Sequence, residues 1–281
     1  MINLKKHLQL PLIIIATLLF SGCSSDDTNN SSEAGVTDEE LAITSFDMLT
    51  QDHTFSVIAA NIQPVDSLVI CLFPSAVDFA NITPTIAFEG SSISYRINDE
   101  EFKTYSATVG ESINFSYPNT VDFKITNSDN SNSKVYRIIV DTEHPIVFNN
   151  SEITIPDTSV NTNYNGIEIE TWTNVGNYPI RLTLRTTEYT NVTTPETGGN
   201  NIFSSTLTND LDMIDPNEEG QVNVFTSNAS VIGEYTATAL FTLNFNENLG
   251  YIVYDDVSTS EYVKDIGYKQ AELQLKGRFI E

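Results

Sequence analysis

The sequence predicts an all-β protein built from two β-sandwich domains. Short segments rich in Val, Ile, Thr, Tyr and Phe recur along the chain, separated by clusters of Asn, Asp, Gly, Pro and Ser. Branched and aromatic side chains fit a pleated, half-buried surface, and the separating residues are those that turns require. Several segments alternate strictly. In 178–185, Tyr178, Ile180, Leu182 and Leu184 point one way, while Arg181, Thr183 and Arg185 point the other. A period of two marks a strand with one face buried. No long stretch sustains a period of 3.6, and only 260–272 suggests a short helix.

Taken in order, the chain opens on a cationic start, Met1-Ile2-Asn3-Leu4-Lys5-Lys6, followed by a mainly apolar run from Leu8 to Phe20. That run is shorter than the roughly 20 residues a membrane-spanning helix needs, so residues 1–22 read as a signal peptide. Phe20-Ser21-Gly22-Cys23 resembles the lipobox of bacterial lipoproteins, with Phe in place of the usual Leu. The resemblance implies that Cys23 is acylated and becomes the N-terminus, which anchors the chain to a membrane. Ser24-Ser25-Asp26-Asp27 resembles the export signal of surface lipoproteins in Bacteroidota, which implies an outer-membrane, cell-surface location. Residues 23–40 otherwise read as a disordered tether, because 24–38 contain no aromatic residue and little to bury.

The first domain is expected over 41–142 and the second over 143–281. Segments 54–60, 67–73, 119–126 and 134–141 read as strands of the first. Thr142-Glu143-His144-Pro145 then interrupts the pattern, since proline fixes φ and removes a donor. Segments 178–185, 221–226, 234–245 and 271–280 read as strands of the second.

Ile43-Thr44-Ser45-Phe46, Ile82-Thr83-Pro84-Thr85-Ile86, Val121–Thr126 and Lys134–Val140 succeed one another in an order that resembles the cadherin-like, immunoglobulin-like domains of Bacteroidota surface lipoproteins. The likeness covers roughly 42–141 and implies a spacer domain that presents the domain C-terminal to it. It brings no functional residues. In the second domain, Thr173-Asn174-Val175-Gly176-Asn177-Tyr178-Pro179-Ile180 looks like an inter-strand turn of bacterial immunoglobulin-like modules.

The chain has 13 basic and 38 acidic residues. Loss of residues 1–22 removes Lys5, Lys6 and no acid, taking the net charge from −25 to −27. Nucleic acid is therefore not expected as a partner. Cys71 lies in the apolar run Leu68-Val69-Ile70-Cys71-Leu72 and reads as a small buried hydrophobe. Beyond residue 22 the histidines are His53 and His144, neither in a catalytic pattern. No phosphate-binding Gly loop, HExxH, CxxC or GxSxG is present, so neither an enzymatic activity nor a cofactor is expected.

Two places carry candidate chemistry. Asp210, Asp212 and Asp215 could offer oxygens to a hard cation, but their spacing is not that of an EF-hand, and a solvated loop is the expected reading. Trp172 shares a strand face with Glu168 and Glu170 by alternation, which could let it stack on a sugar. The plainer reading is a half-buried aromatic at a sheet edge. The sequence thus favours a non-enzymatic surface spacer or binding module, with a glycan or surface protein as partner. A glycan-binding or glycan-processing accessory lipoprotein is the alternative.

Overall fold

The structure is a computed structural model that describes residues 40–50, 58–182, 188–208, 213–254 and 263–281. Among them there is no helix: the described chain is all-β, as the sequence predicts, and its sheets pack as sandwiches.

The first sandwich faces a three-stranded sheet against a six-stranded one. The small sheet has the order Ile58–Ala59, Ala42–Thr50, Ile82–Glu89. The large sheet runs Asn61–Gln63, Leu68–Phe73, Ser133–Thr142, Val121–Thr126, Ser92–Ile97, Lys103–Thr104. Phe46 and Ile86 from one sheet meet Phe73, Phe123 and Tyr136 from the other in one buried cluster. Phe123 is its centre, with edge contacts to Phe46 at 5.5 Å and Tyr105 at 5.2 Å and a stacked contact to Tyr95 at 5.7 Å. Such pairs add about 0.5–1.5 kcal/mol each beyond area burial. Cys71 lies in this cluster, and burial pushes its thiol up to about 12.

Three sheets build the second sandwich. One has the order Ile146–Phe148, Asn165–Asn174, Glu219–Thr226, Phe203–Thr208. Another has the order Glu152–Thr154, Ala271–Ile280, Gly233–Phe241, Glu188–Thr193. A third holds Met213–Ile214, Ile180–Leu182, Tyr251–Tyr254, Leu243–Asn246 and Val263–Lys264. The segment 234–245, which reads as one strand in the sequence, is two. The chain leaves one sheet at Phe241 and enters another at Leu243, so its apolar residues serve two sheets. The suggested helix is also corrected over its described part: Gly267 has φ +101°, and the Lys269 amide donates to the Glu143 carbonyl at 2.8 Å, which holds 265–270 extended beside the first sandwich.

The two sandwiches share a wall. Leu68–Phe73 pairs with Ser133–Thr142 in parallel, and Leu68–Phe73 and the stretch 138–142 are buried on both faces. Val69, Cys71, Phe73, Ile138 and Val140 enter the first core, while Leu68, Ile70 and Ile139 belong to the cluster that contains Trp172, Ile180 and Phe245. Strands covered on both faces read as continuous apolar runs rather than alternating ones. Residues 68–73 (LVICLF) and 138–140 (IIV) are those runs. Residues Glu39–Glu281 accordingly cluster as one unit.

Candidate functional site

Beside the apolar wall the two sandwiches meet through a buried polar cluster centred on Asp141. This residue comes directly after Ile139 and Val140 on the shared strand, and it has no solvent exposure. The Thr142 and Asn177 amides each donate to its Oδ1 at 2.7 Å, and the Tyr268 hydroxyl donates to its Oδ2 at 2.7 Å. Burial pushes the carboxyl up to about 7, against those three hydrogen bonds, which hold it down. Burial and the nearby Asp141 carboxyl also raise the Tyr178 and Tyr268 hydroxyls.

Asn177 completes the joint. Its Nδ2 donates to the Phe115 carbonyl at 2.9 Å and to the Val140 carbonyl at 2.8 Å, and its Oδ1 accepts from the Tyr117 amide at 3.0 Å. One side chain thus satisfies three backbone groups of the first sandwich. Asn174 holds the turn itself: its Nδ2 donates to the carbonyls of Tyr178 and Ile214, and its Oδ1 accepts from the Gly176 amide, each at 2.9 Å. Gly176 is needed for close approach, since a Cβ there would lie 2.8 Å from Pro145 Cβ and 2.9 Å from Asp141 Oδ1. The turn resembling bacterial immunoglobulin-like modules is therefore the piece that inserts into the joint.

A groove of about 600 Å³ opens over this joint, lined by Val77, Tyr117, Pro118, Asn177, Asp215 and Asn217 among others. Tyr117 is 37% exposed and makes an edge contact with Tyr178 at 6.4 Å. A second tie crosses at the surface, where Lys264 Nζ lies 3.1 Å from carboxylate oxygens of both Asp66 and Glu247.

The residues singled out from the sequence fare differently. Trp172 is fully buried on an inner strand, which corrects both the reading as a half-buried aromatic at a sheet edge and the reading as a sugar platform. Its indole lies against Gly220, its partner across the strands, where any Cβ would come within 2.4 Å of the ring. The alternation linking it to Glu168 also breaks, because the pairing register slips between Gly166 and Glu170 and Glu168 takes φ +52°. Asp215 is exposed in a turn, with its amide donating to Glu218 Oε2 at 3.3 Å and its carbonyl accepting from the Glu218 amide at 3.0 Å. Cys23, Asp210 and Asp212 lie outside the described residues. Among the described residues no three His, Cys, Asp or Glu side chains are grouped to hold a metal ion. Asp141 and Tyr268 escape the sequence reading. The one signal in the sequence is an acid directly after the apolar run Ile138-Ile139-Val140, where alternation has already failed.

No family model and no curated protein matches the chain. Several solved structures show partial likeness, and two of them illustrate it. The ASH/PapD-like domain of human CEP192 (PapD-like domain 7) is 13% identical, covering 49% of this chain and 86% of that one, with a TM-score of 0.29. The endo-fucoidan hydrolase MfFcnA4_H294Q from glycoside hydrolase family 107 is 11% identical, covering 87% of this chain and 34% of that one, with a TM-score of 0.20. Likenesses this distant carry no argument about activity.

Proposed function

We propose that this chain is a lipid-anchored, non-enzymatic module of the outer-membrane surface that spaces and presents a binding face. The observation that carries the reading is the shared wall, with Leu68, Ile70 and Ile139 of the first sandwich packed into the core of the second. A presenting module needs its parts held in fixed relation, and burial on both faces of two strands supplies that. The lipobox-like Phe20-Ser21-Gly22-Cys23 supports the anchor. Metabolic labelling with an alkyne fatty acid tests it: label should enter the wild-type chain and be lost in Cys23→Ala. Equal labelling of both would remove the anchor from the proposal.

The rival reading, a glycan-binding accessory lipoprotein, draws on the groove over the joint, where the exposed Tyr117 ring lies among Asp215, Asn217 and Asn177. A glycan array on the mature protein separates the two. A reproducible hit abolished by Tyr117→Ala would favour the rival.

A further inference from the structure

We propose that the Asp141 cluster is a proton-operated latch between the two sandwiches, closed while the carboxyl group keeps its proton and loosened when it ionises. The geometry gives three reasons. First, the group sits where the sandwiches join, and its partners come from three places: Thr142 on its own strand, Asn177 on the inserted turn and Tyr268 on the segment before the last strand. Opening the joint at this point must expose it.

Second, the carboxyl is buried without a compensating charge. The titratable groups that face it are Tyr268 and Tyr178, both neutral phenols. Arg137, on the same strand, acts on Tyr178, and among the described residues it pairs with Asp122 at 2.5 Å. No described cation forms an ion pair with Asp141. A buried charge without an ionic partner favours either protonation or exposure to water.

Third, neither the apolar wall nor the Asn177 bonds carry a group that titrates near neutrality. The ionisable side chain among the wall's apolar residues is the Cys71 thiol, which burial pushes up to about 12, and the Asn177 bonds join an amide side chain to backbone groups. Asp141 is thus the buried acid through which the interior of the joint responds to protons.

The direction comes from linkage. In the closed joint, burial holds the carboxyl at about 7, while in an opened joint water returns it towards its ordinary value of 3.8. Between these values opening releases one proton, so the opening constant rises by up to tenfold per pH unit. Below about pH 4 both states are protonated, and above about pH 7 both are ionised. The closed joint is therefore most favoured in acid, and its advantage is lost as pH rises to neutrality.

Hydrogen exchange of the mature chain from pH 5 to pH 8, corrected for the intrinsic rate, tests the latch on peptides covering 174–180 and 265–270. The opening constant should rise steeply to about pH 7 and then level off. Asp141→Asn, which keeps the shape and cannot ionise, should give a flat profile. Tyr268→Phe removes a donor that favours the ionised form, so it should move the plateau to higher pH. This second variant keeps the test decisive if Asp141→Asn fails to fold. A wild-type profile that is flat, or a slope unchanged in Asp141→Asn or a plateau unmoved in Tyr268→Phe, would overturn the latch.

Discussion

The strands Leu68–Phe73 and Ala271–Ile280 obey opposite rules of burial. In the first, five of six residues are buried. In the second, Ala271, Leu273, Leu275, Gly277 and Phe279 are buried, while Glu272, Gln274 and Arg278 are exposed. The second strand covers one core and shows water its other face. The first strand separates two cores and has no free face. The difference teaches where the two sandwiches are welded: at the strands whose alternation fails.

The strongest way to break that comparison is to put a charge in the wall. Ile139→Asp places an unpaired carboxylate where a buried apolar side chain packs against the second core, and the expected loss is about 4 kcal/mol or more. At roughly 2–4 °C per kcal/mol this lowers Tm by about 10 °C. Gln274→Asp on the open face of the last strand should change stability by only about 0.5 kcal/mol. Trp172 is the only tryptophan and belongs to the second core, so its fluorescence reports that sandwich alone. In the wild type, fluorescence and far-UV circular dichroism should give coincident unfolding transitions. In Ile139→Asp they should separate. Coincident transitions in both proteins would mean that the wall does not couple the sandwiches.

The same contrast explains what is legible in the sequence. Ala271–Ile280 reads correctly as a strand because one wet face leaves polar residues at every second position. Asn165–Asn174 reads as a strand around Trp172, but its faces are misread, since the register slip between Gly166 and Glu170 breaks the alternation. The run 68–73 is legible as a strand, but not as a strand with two covered faces, because a continuous apolar run gives no information about what covers each side. The joint is opaque for a related reason. Asp141, Asn177 and Tyr268 are far apart in sequence and carry no shared motif. Only the fold brings the Asn177 amide and the Tyr268 hydroxyl each to 2.7 Å from the Asp141 carboxyl.

A smaller and more local effect is expected at Trp172. Trp172→Ala leaves a large cavity in the second core and should cost about 3–5 kcal/mol. Gly220→Ala attacks the same place from the other strand, by forcing a Cβ against the indole. In either variant, amides of the inner strand Val121–Thr126 should keep their exchange protection at temperatures where Glu219–Thr226 has lost it. Simultaneous loss in the two strands would show that damage to one core spreads through the wall, and would make the coupling tighter than the contrast between cores implies.

The smallest effect is expected at Lys264, and it sharpens the comparison because this tie spans the same two sandwiches without being buried. Lys264 is about one-third exposed on its side chain, Asp66 47% and Glu247 31%. Water screens such pairs, and each typically contributes about 0.2–1 kcal/mol. Lys264→Ala should therefore lower Tm by about 2–4 °C at low ionic strength. The deficit should shrink in about 1 M salt, where the Debye length falls to about 3 Å and the wild type loses the same attraction. The loss at Ile139→Asp should not shrink in this way, because its cost comes from burial. Asp66→Asn and Glu247→Gln then divide the tie. Asp66 belongs to the first sandwich, so only its removal should reduce the coincidence of the fluorescence and circular dichroism transitions. Glu247 and Lys264 both lie in the second sandwich, and Glu247→Gln should leave that coincidence intact. A loss above about 2 kcal/mol for Lys264→Ala, undiminished by salt, would mean that a surface ion pair holds the sandwiches as firmly as the buried wall does. The distinction between covered and open faces would then no longer explain the joint.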